Sequence, residues 1–401
     1  MYKWRTNITR LTLGCLLLCA NSALGQSLDA SFGLDRAQAL LRQGDYPQAL
    51  DSTERALALS ESDVAGDQLL TADILFTLAE VHRLQGRFDQ AQPAYERALA
   101  LREAALGAEH PATAQSLHGL GRFFKDRGDY DQAESLFGSA LEIRKRTLGA
   151  AHPRVAETLG EAAEILRYRG RYEEAEQLYQ RALAIQELSL GAFHTEVAES
   201  LGGLALVYYA QEQFDEAEDL YKRSLSIRKA VLDSDHPEIV KGRHNLALIL
   251  LAQGKRDEAE RLFTEVLEAM KISLGSDHPR LAAVFNNLGR LHMEQRNYVI
   301  SRSFFERAIA ILERSQGPNH PLLVFPLSNL AQSREAMEDY KASERLYRRA
   351  LSLLHETLGG GHPNTIQTLR NYAGLLRATG REAEAVAVEA QADGVARRPS
   401  D

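Results

Sequence analysis

Apolar residues along most of this chain recur three and four positions apart, a spacing that places them on one side of an α-helix. In residues 280–295 the stripe consists of Leu281, Val284, Phe285, Leu288 and Leu291. A turn at residues 296–298 leads to a second stripe of Ile300, Phe304, Phe305, Ala308 and Ile311. Because this turn is so short, the pattern predicts two antiparallel helices that pack side by side.

A short motif, Leu-Gly-x-x-His-Pro with minor variations, follows the second helix and returns every 42 residues. Its histidines are His110, His152, His194, His236, His278, His320 and His362. The glycine is typical of a helix end, where the backbone adopts a positive φ angle. The proline is typical of a first helical position, where its missing N–H needs no intrahelical partner. The motif therefore predicts a helix end followed by a helix start.

The strict period indicates one supersecondary unit stacked many times, in which each unit contacts only its neighbours. We predict an all-α solenoid of about nine antiparallel helix-turn-helix units over residues 31–393, followed by a disordered tail at residues 394–401. The first and last units are expected to act as caps, since the first lacks the motif and the last carries Glu389 in an aromatic position. Pro326 predicts a kink or a late helix start in the eighth unit.

Residues 1–25 have the features of a secretory signal peptide. A basic stretch precedes an apolar run at residues 11–20, and Ala23 and Gly25 supply the small residues that a signal peptidase needs before a cut at Gln26. The apolar run is too short to anchor a helix across a bilayer. We therefore expect an exported protein, periplasmic or secreted, with no direct membrane insertion after cleavage. A lipid-anchored or uncleaved form is the alternative.

Charge and motif content argue against several functional classes. The formal net charge is -8, so nucleic acid and anionic membranes are not expected as partners. Equivalent histidines in successive units should lie at least about 8–10 Å apart, the spacing of packed helices, which is too far for them to share one zinc ion. The sequence contains neither HExxH nor GxSxG, and both of its cysteines, Cys15 and Cys19, lie in the predicted signal peptide. We predict no enzymatic activity, no catalytic residue, no cofactor and no metal site.

Small and aromatic residues recur at fixed positions inside each unit, as at Gly289, Tyr298, Phe305 and Ala308. This inner pattern resembles the tetratricopeptide repeat, whose usual period is about 34 residues. The unit that starts at His244 resembles the 42-residue repeats of kinesin light chains and related bacterial proteins. The resemblance implies a right-handed superhelical solenoid. It also implies that the first helix of each unit lines a concave groove whose side chains hold extended peptides.

One column of asparagines stands out at the groove position of four successive first helices. The asparagine column consists of Asn245, Asn287, Asn329 and Asn371. A side-chain amide can donate to one peptide carbonyl and accept from an N–H group, which suits peptide binding. The alternative is that these amides bond the backbone between helices and have no ligand. The earlier units carry other residues here, so a peptide site of this kind is expected in the C-terminal half.

Further groove positions lie one helical turn away from this column. The candidates are His118, Arg122, Asn286, Arg290 and Arg370, accompanied by Lys125, Glu294 and Gln367. The basic residues among them suit an acidic ligand segment, since arginine binds carboxylates through its planar fork. The fifth and sixth units place Leu206, Tyr209, Leu248 and Leu251 at similar positions. These apolar residues form either a hydrophobic pocket or buried packing between units.

Together these features predict a non-enzymatic scaffold that binds an extended peptide or a partner protein in the concave groove of a helical repeat array. The alternative is a structural subunit of an envelope, secretion or polysaccharide-export complex that binds folded partners through its convex or end surfaces. The sequence does not identify the partner or the oligomeric state.

Overall fold

The computed structural model describes residues 28–62, 67–233, 236–357 and 363–396. Over these residues the chain forms eighteen α-helices and no β-strand, which confirms the predicted all-α class. The predicted signal peptide, the motif histidine His362 and residues 397–401 of the predicted tail lie outside the described residues. Within the described residues, no helix combines the length and the hydropathy needed to cross a bilayer.

The chain divides into two compact units, Met1–Gln211 and Glu212–Asp401. We call these two parts the first and second units, and we call each helix-turn-helix motif a repeat. The first unit contains α1 (residues 28–43), α2 (Tyr46–Ser62), α3 (Gln68–Leu84), α4 (Phe88–Leu106), α5 (Pro111–Arg127), α6 (Tyr130–Leu148), α7 (Pro153–Tyr168), α8 (Tyr172–Leu190) and α9 (Thr195–Ala210). The second unit contains α10 (Phe214–Val231), α11 (Pro237–Ala252), α12 (Arg256–Leu274), α13 (Leu281–Glu294), α14 (Tyr298–Gln316), α15 (Val324–Ala336), α16 (Tyr340–Thr357), α17 (Pro363–Ala378) and α18 (Glu382–Ala396).

Two of these bounds differ from the sequence prediction. Helix α1 begins at residue 28, three residues before the predicted start of the array at residue 31. Helix α18 continues to Ala396, so residues 394–396 of the predicted disordered tail are helical. The terminal turns of a helix lack the full set of backbone hydrogen bonds, so the sequence constrains the ends of a helix less tightly than its centre.

The helices pack in the same way in both units. Odd-numbered helices are the first helices of the predicted repeats, and even-numbered helices are the second. Each second helix contacts the first helix of the following repeat, as α4 contacts α5 and α12 contacts α13. Successive first helices also contact one another directly, α3, α5, α7 and α9 in the first unit and α11, α13, α15 and α17 in the second. We call the side of each unit formed by these helices its first-helix face.

The recurring motif ends one helix and begins the next, as predicted. Five of its glycines have φ angles between 86° and 90°, namely Gly107, Gly149, Gly191, Gly275 and Gly317. In six of its histidines the side-chain Nδ1 accepts a hydrogen bond, 3.1 to 3.3 Å long, from the backbone N–H two residues later. These six are His110, His152, His194, His236, His278 and His320. These six histidines therefore stabilise the first turns of the helices that follow them.

The prolines of the motif follow the prediction at most positions. Pro111, Pro153, Pro237 and Pro363 are the first residues of their helices. Pro279 is an exception, because α13 begins two residues later at Leu281. Pro321 opens a short 3₁₀ helix, Pro321–Leu323, and α15 starts only at Val324. This late start in the eighth repeat was expected from Pro326, whose ring is now accommodated in the first turn of α15.

Small residues let the second helices bring aromatic rings close to the first helices. A Cβ atom added to Gly289 would lie 2.5 Å from the ring of Phe305. A Cβ atom added to Gly203 would lie 2.4 Å from the ring of Tyr179. Such distances exclude a side chain at these positions without repacking, so the small-and-aromatic pattern of the sequence reflects direct contact.

Candidate functional site

The asparagine column lies on the first-helix face of the second unit. The Asn245 side chain on α11 is half-buried, and its amide donates a hydrogen bond to the hydroxyl of Tyr221 on α10. This bond joins a first helix to the preceding second helix. The asparagine at this position thus bonds a neighbouring helix while its side chain stays partly exposed.

The next two asparagines bond the preceding first helix instead. Asn287 is only 8% exposed, and its amide nitrogen lies 3.2 Å from Nε2 of His244 on α11. Burial lowers the pKa of His244, which favours the neutral ring that accepts this bond. Asn329 on α15 donates to the side-chain oxygen of Asn286 on α13, at 2.9 Å. These bonds join side chains of successive first helices, whereas the alternative to a ligand site predicted bonds to the backbone between helices.

The first helix of the last repeat, α17, carries the fourth asparagine and two exposed candidates, Gln367 and Arg370. The side-chain oxygen of Asn371 accepts a bond of 2.9 Å from Gln367 on the same helix. Arg370 is exposed, and its guanidinium lies 3.4 Å from the carboxylate of Asp393 on α18. Because this ion pair is solvent-exposed, it holds Arg370 only weakly.

Arg290 on α13 differs from the other basic candidates. Its side chain is exposed, and within the described residues it has no hydrogen bond and no ion pair. Glu294, one turn further along α13, lies 3.5 Å from Arg256 and is thus paired elsewhere. Arg290 therefore presents an unneutralised cation beside Asn286 and Asn287.

The candidate residues of the first unit belong to an internal ionic network. The guanidinium of Arg122 on α5 lies 3.3 Å from Glu161 on α7 and 3.7 Å from Glu80 on α3. Lys125 donates to Glu161 and to Glu164, both on α7. The network thus links three successive first helices through side chains that are mostly buried.

The pKa shifts in this network follow from the paired charges. Burial alone would raise the pKa of Glu80, but the guanidiniums of Arg83 and Arg122 outweigh it and lower that pKa. Burial alone would lower the pKa of Lys125, but the carboxylates of Glu161 and Glu164 raise it. All these groups are therefore charged at neutral pH and neutralise one another.

His118 is buried rather than open to a groove. It is 4% exposed, its Nε2 lies 3.4 Å from the carboxylate of Glu157, and its ring packs on Phe137 with centroids 5.3 Å apart. The structure thus places this predicted groove residue in the packing between helices. Asn286 and Arg370 occupy the same register position in later repeats and are half-buried and exposed, so register alone does not determine exposure.

The apolar candidates include both buried and half-buried side chains. Leu251 is buried on α11, which supports packing, whereas Leu248 is half-buried. Leu206 and Tyr209, on α9 of the first unit, are half-buried. Leu322, in the 3₁₀ helix, and Phe325, in the first turn of α15, are exposed apolar residues that the sequence pattern did not single out. Leu322 lies two residues and Phe325 five residues after His320, so the signal for both is the apolar segment that follows this motif histidine.

Comparison with known proteins identifies the fold. The family model described as tetratricopeptide repeat matches residues 30–104, 71–146, 113–187, 154–230, 196–272, 238–298, 280–354 and 325–392. Among solved structures, the apo form of the quorum sensor NprR from B. thuringiensis matches with a TM-score of 0.68 and 13% identity, over 92% of this chain and 99% of that chain.

Two further solved structures are similar. A Rap protein complexed with Competence and Sporulation Factor has a TM-score of 0.63 and 13% identity, over 92% of this chain and 98% of that chain. A putative kinesin light chain of Podosopora anserina with nearly identical TPR-like repeats is 28% identical over 50% of this chain and 95% of that chain, with a TM-score of 0.41. The comparison with curated proteins found no match. With the repeat model matched along almost the whole helical array, the chain belongs to the tetratricopeptide repeat family.

Proposed function

We propose that this chain is a non-enzymatic scaffold that binds an extended peptide segment of a partner protein on the first-helix face of its second unit. The observation that carries the proposal is the exposed, unpaired guanidinium of Arg290 beside the half-buried amide of Asn286. A planar guanidinium binds a carboxylate through two parallel hydrogen bonds, and a neighbouring amide can bond a peptide backbone.

Apolar side chains on the adjacent first helix complement this polar site. Phe325 on α15 is 49% exposed and lies one turn before Asn329. An exposed aromatic ring is a common anchor in protein recognition because it buries a large area at a low cost in conformational entropy. The expected ligand is therefore an extended segment with an acidic residue near an apolar one.

The charged side chains of the first unit are a further reason to place the peptide site in the second unit. Its basic groove candidates, Arg122 and Lys125, are already neutralised by carboxylates of neighbouring helices. A ligand carboxylate would have to compete with buried partners that are held in place, which costs more than binding to an unpaired arginine. The second unit is thus the better candidate for a peptide site.

A selection from a phage-displayed library of random peptides tests the proposal. We expect the chain from Gln26 onwards to enrich extended, acidic peptides, and Arg290→Ala to weaken their binding about tenfold. Arg261→Ala is the matched control, since Arg261 is an exposed arginine on the second helix α12 of the same unit. Peptides that bind the two variants equally well would contradict the site, and so would a selection that enriches no peptide.

Residues 1–25 motivate one further part of the proposal, export from the cytoplasm. Fractionation of cells that express the full chain with a C-terminal tag tests it. A periplasmic or secreted product that starts at Gln26 would support export, and a full-length product in the cytoplasm would contradict it.

A further inference from the structure

The helix pair α1 and α2 presents a face that every later repeat buries. Phe32 on α1 is 79% exposed, and Leu28 is 64% exposed. The residues at the position of Phe32 in the eight later repeats are all buried: Ile74, Ser116, Thr158, Ser200, Gly242, Val284, Pro326 and Thr368. In those repeats the position packs against the preceding helix pair. Within the described residues no helix pair precedes α1, so this packing surface is open.

An apolar groove of about 280 Å³ lies on this face, between α1 and α2. We call it the amino-terminal groove, and its apolar lining includes Phe32, Gly33, Ala56 and Leu59. A cavity of about 150 Å³ already accepts benzene, so this groove has room for a phenyl ring. Gly33 lies close to α2, since a Cβ atom added there would lie 3.0 Å from the Cβ of Ala56.

Charged residues line the groove from both helices, and Asp51 and Arg55 of α2 already pair with each other. The charged residues of α1 stand in a symmetric order. Asp29, Phe32, Gly33 and Arg36 share one side of the helix, at spacings of three, one and three residues. Asp29 and Arg36 are exposed, and neither has an ion-pair partner within the described residues. The order is self-complementary, since reversing the direction of the helix exchanges aspartate with arginine and phenylalanine with glycine.

We propose that a second copy of this chain binds the amino-terminal groove through an antiparallel contact between the two α1 helices. A two-fold axis through the midpoint of residues 32 and 33 brings Asp29 opposite Arg36 of the second copy, and the same pair forms again on the other side. Phe32 then faces Gly33 of the second copy and enters its groove. Two-fold dimers with one self-complementary surface are the commonest symmetric assemblies. This interface does not depend on the peptide site proposed above.

Charge exchange provides a sharp test by sedimentation velocity on the chain from Gln26 onwards. We expect the unmodified chain to dimerise and Asp29→Arg and Arg36→Asp each to dissociate, because each variant places like charges opposite one another twice. An equimolar mixture of the two variants should dimerise again, since both pairs of the mixed dimer are then oppositely charged. A mixture that stays monomeric would overturn the proposal.

The aromatic contact has its own control. Phe32→Ala should weaken dimerisation about tenfold, as expected for an aromatic anchor in a pocket. Phe193→Ala should leave it unchanged, because Phe193 is comparably exposed but lies in the link between α8 and α9. Equal dimerisation of both variants would overturn the contact. A monomeric chain from Gln26 onwards would do the same, and would leave residues 1–25 of the uncleaved chain as the alternative occupant of the groove.

Discussion

The side-chain amide of Asn245 donates a hydrogen bond to the hydroxyl of Tyr221, which joins a first helix to the second helix before it. In the next repeat the aromatic position holds Phe263, which lacks a hydroxyl, and the equivalent Asn287 bonds His244 instead. The hydroxyl of Tyr221 thus gives Asn245 a partner on α10 that Phe263 cannot give Asn287. This relationship allows the structural role of the asparagine column to be measured separately from any ligand role.

Tyr221→Phe should lower the free energy of unfolding by about 1 kcal/mol, because the half-buried amide of Asn245 loses its acceptor. Urea unfolding measures this difference. Tyr298→Phe in the same unit is the control, since no hydrogen bond of its hydroxyl occurs within the described residues. If Tyr221→Phe and Tyr298→Phe have equal effects, the bond to Asn245 does not stabilise the stack.

Gly203→Ala should destabilise the first unit by about 1–3 kcal/mol, because the new Cβ atom would overlap the ring of Tyr179. Gly138→Ala is the matched control inside helix α6, where nothing lies within 4 Å of an added Cβ atom. There the higher helix propensity of alanine should stabilise the protein by up to about 1 kcal/mol. The midpoint temperatures of thermal unfolding of the two variants should therefore shift in opposite directions. Shifts in the same direction would count against tight packing at Gly203.

His152→Ala should lower the free energy of unfolding by about 1 kcal/mol, because Nδ1 of His152 accepts a hydrogen bond from the backbone N–H of Arg154 at the start of α7. His152→Asn should recover most of this loss, since asparagine is also a good residue at this position. Chemical denaturation of both variants separates capping from packing. Equal losses in the two variants would mean that the imidazole ring stabilises α7 by packing alone.

Because of Glu218 on α10, we expect the free energy of unfolding to depend on pH in the acid range. Burial alone would raise the pKa of this carboxyl, but its bonds with Lys222 and Lys255 lower it to about 2. A glutamate in the unfolded chain has a pKa of about 4.3, so the folded state binds the proton more weakly. The stabilisation is fully present above the unfolded pKa and is lost as the pH falls from about 5 towards 2.

Glu218→Gln should accordingly lower the free energy of unfolding by about 2 kcal/mol at pH 7, since the charge-assisted bonds to both lysines are weakened. The difference in unfolding free energy between the native chain and this variant should shrink steadily between about pH 5 and pH 2. Urea titrations at several pH values give this difference directly. A constant difference over that range would contradict the assigned pKa shift.

The repeat itself could be predicted from the sequence because its determinants are local. The glycine that ends a helix, the histidine that caps the next one and the proline that opens it lie within six residues of one another, as at Gly107 and Pro111. The small residue at Gly289 and the aromatic residue at Phe305 recur with the period, so their contact could be inferred from register.

The partners of the polar side chains could not be predicted in this way. Arg122 and Lys125 looked like free groove cations, yet their carboxylate partner Glu161 stands 36 to 39 residues further along the chain. His118 shares its register position with the exposed Arg370, and Asn287 shares its own with the half-buried Asn245, but His118 and Asn287 are both buried. Register assigns a side of a helix, while exposure depends on how closely the next helix approaches.

The sequence by itself determined the all-helical class, the 42-residue period and the residues that end and begin each helix, because backbone conformation responds to residues a few positions apart. Only the tertiary structure decided which charges are neutralised, leaving Arg290 unpaired, and which end surface stays open at Phe32. These outcomes depend on contacts between separate helices, where a shift of one ångström makes or breaks an ion pair or fills a groove.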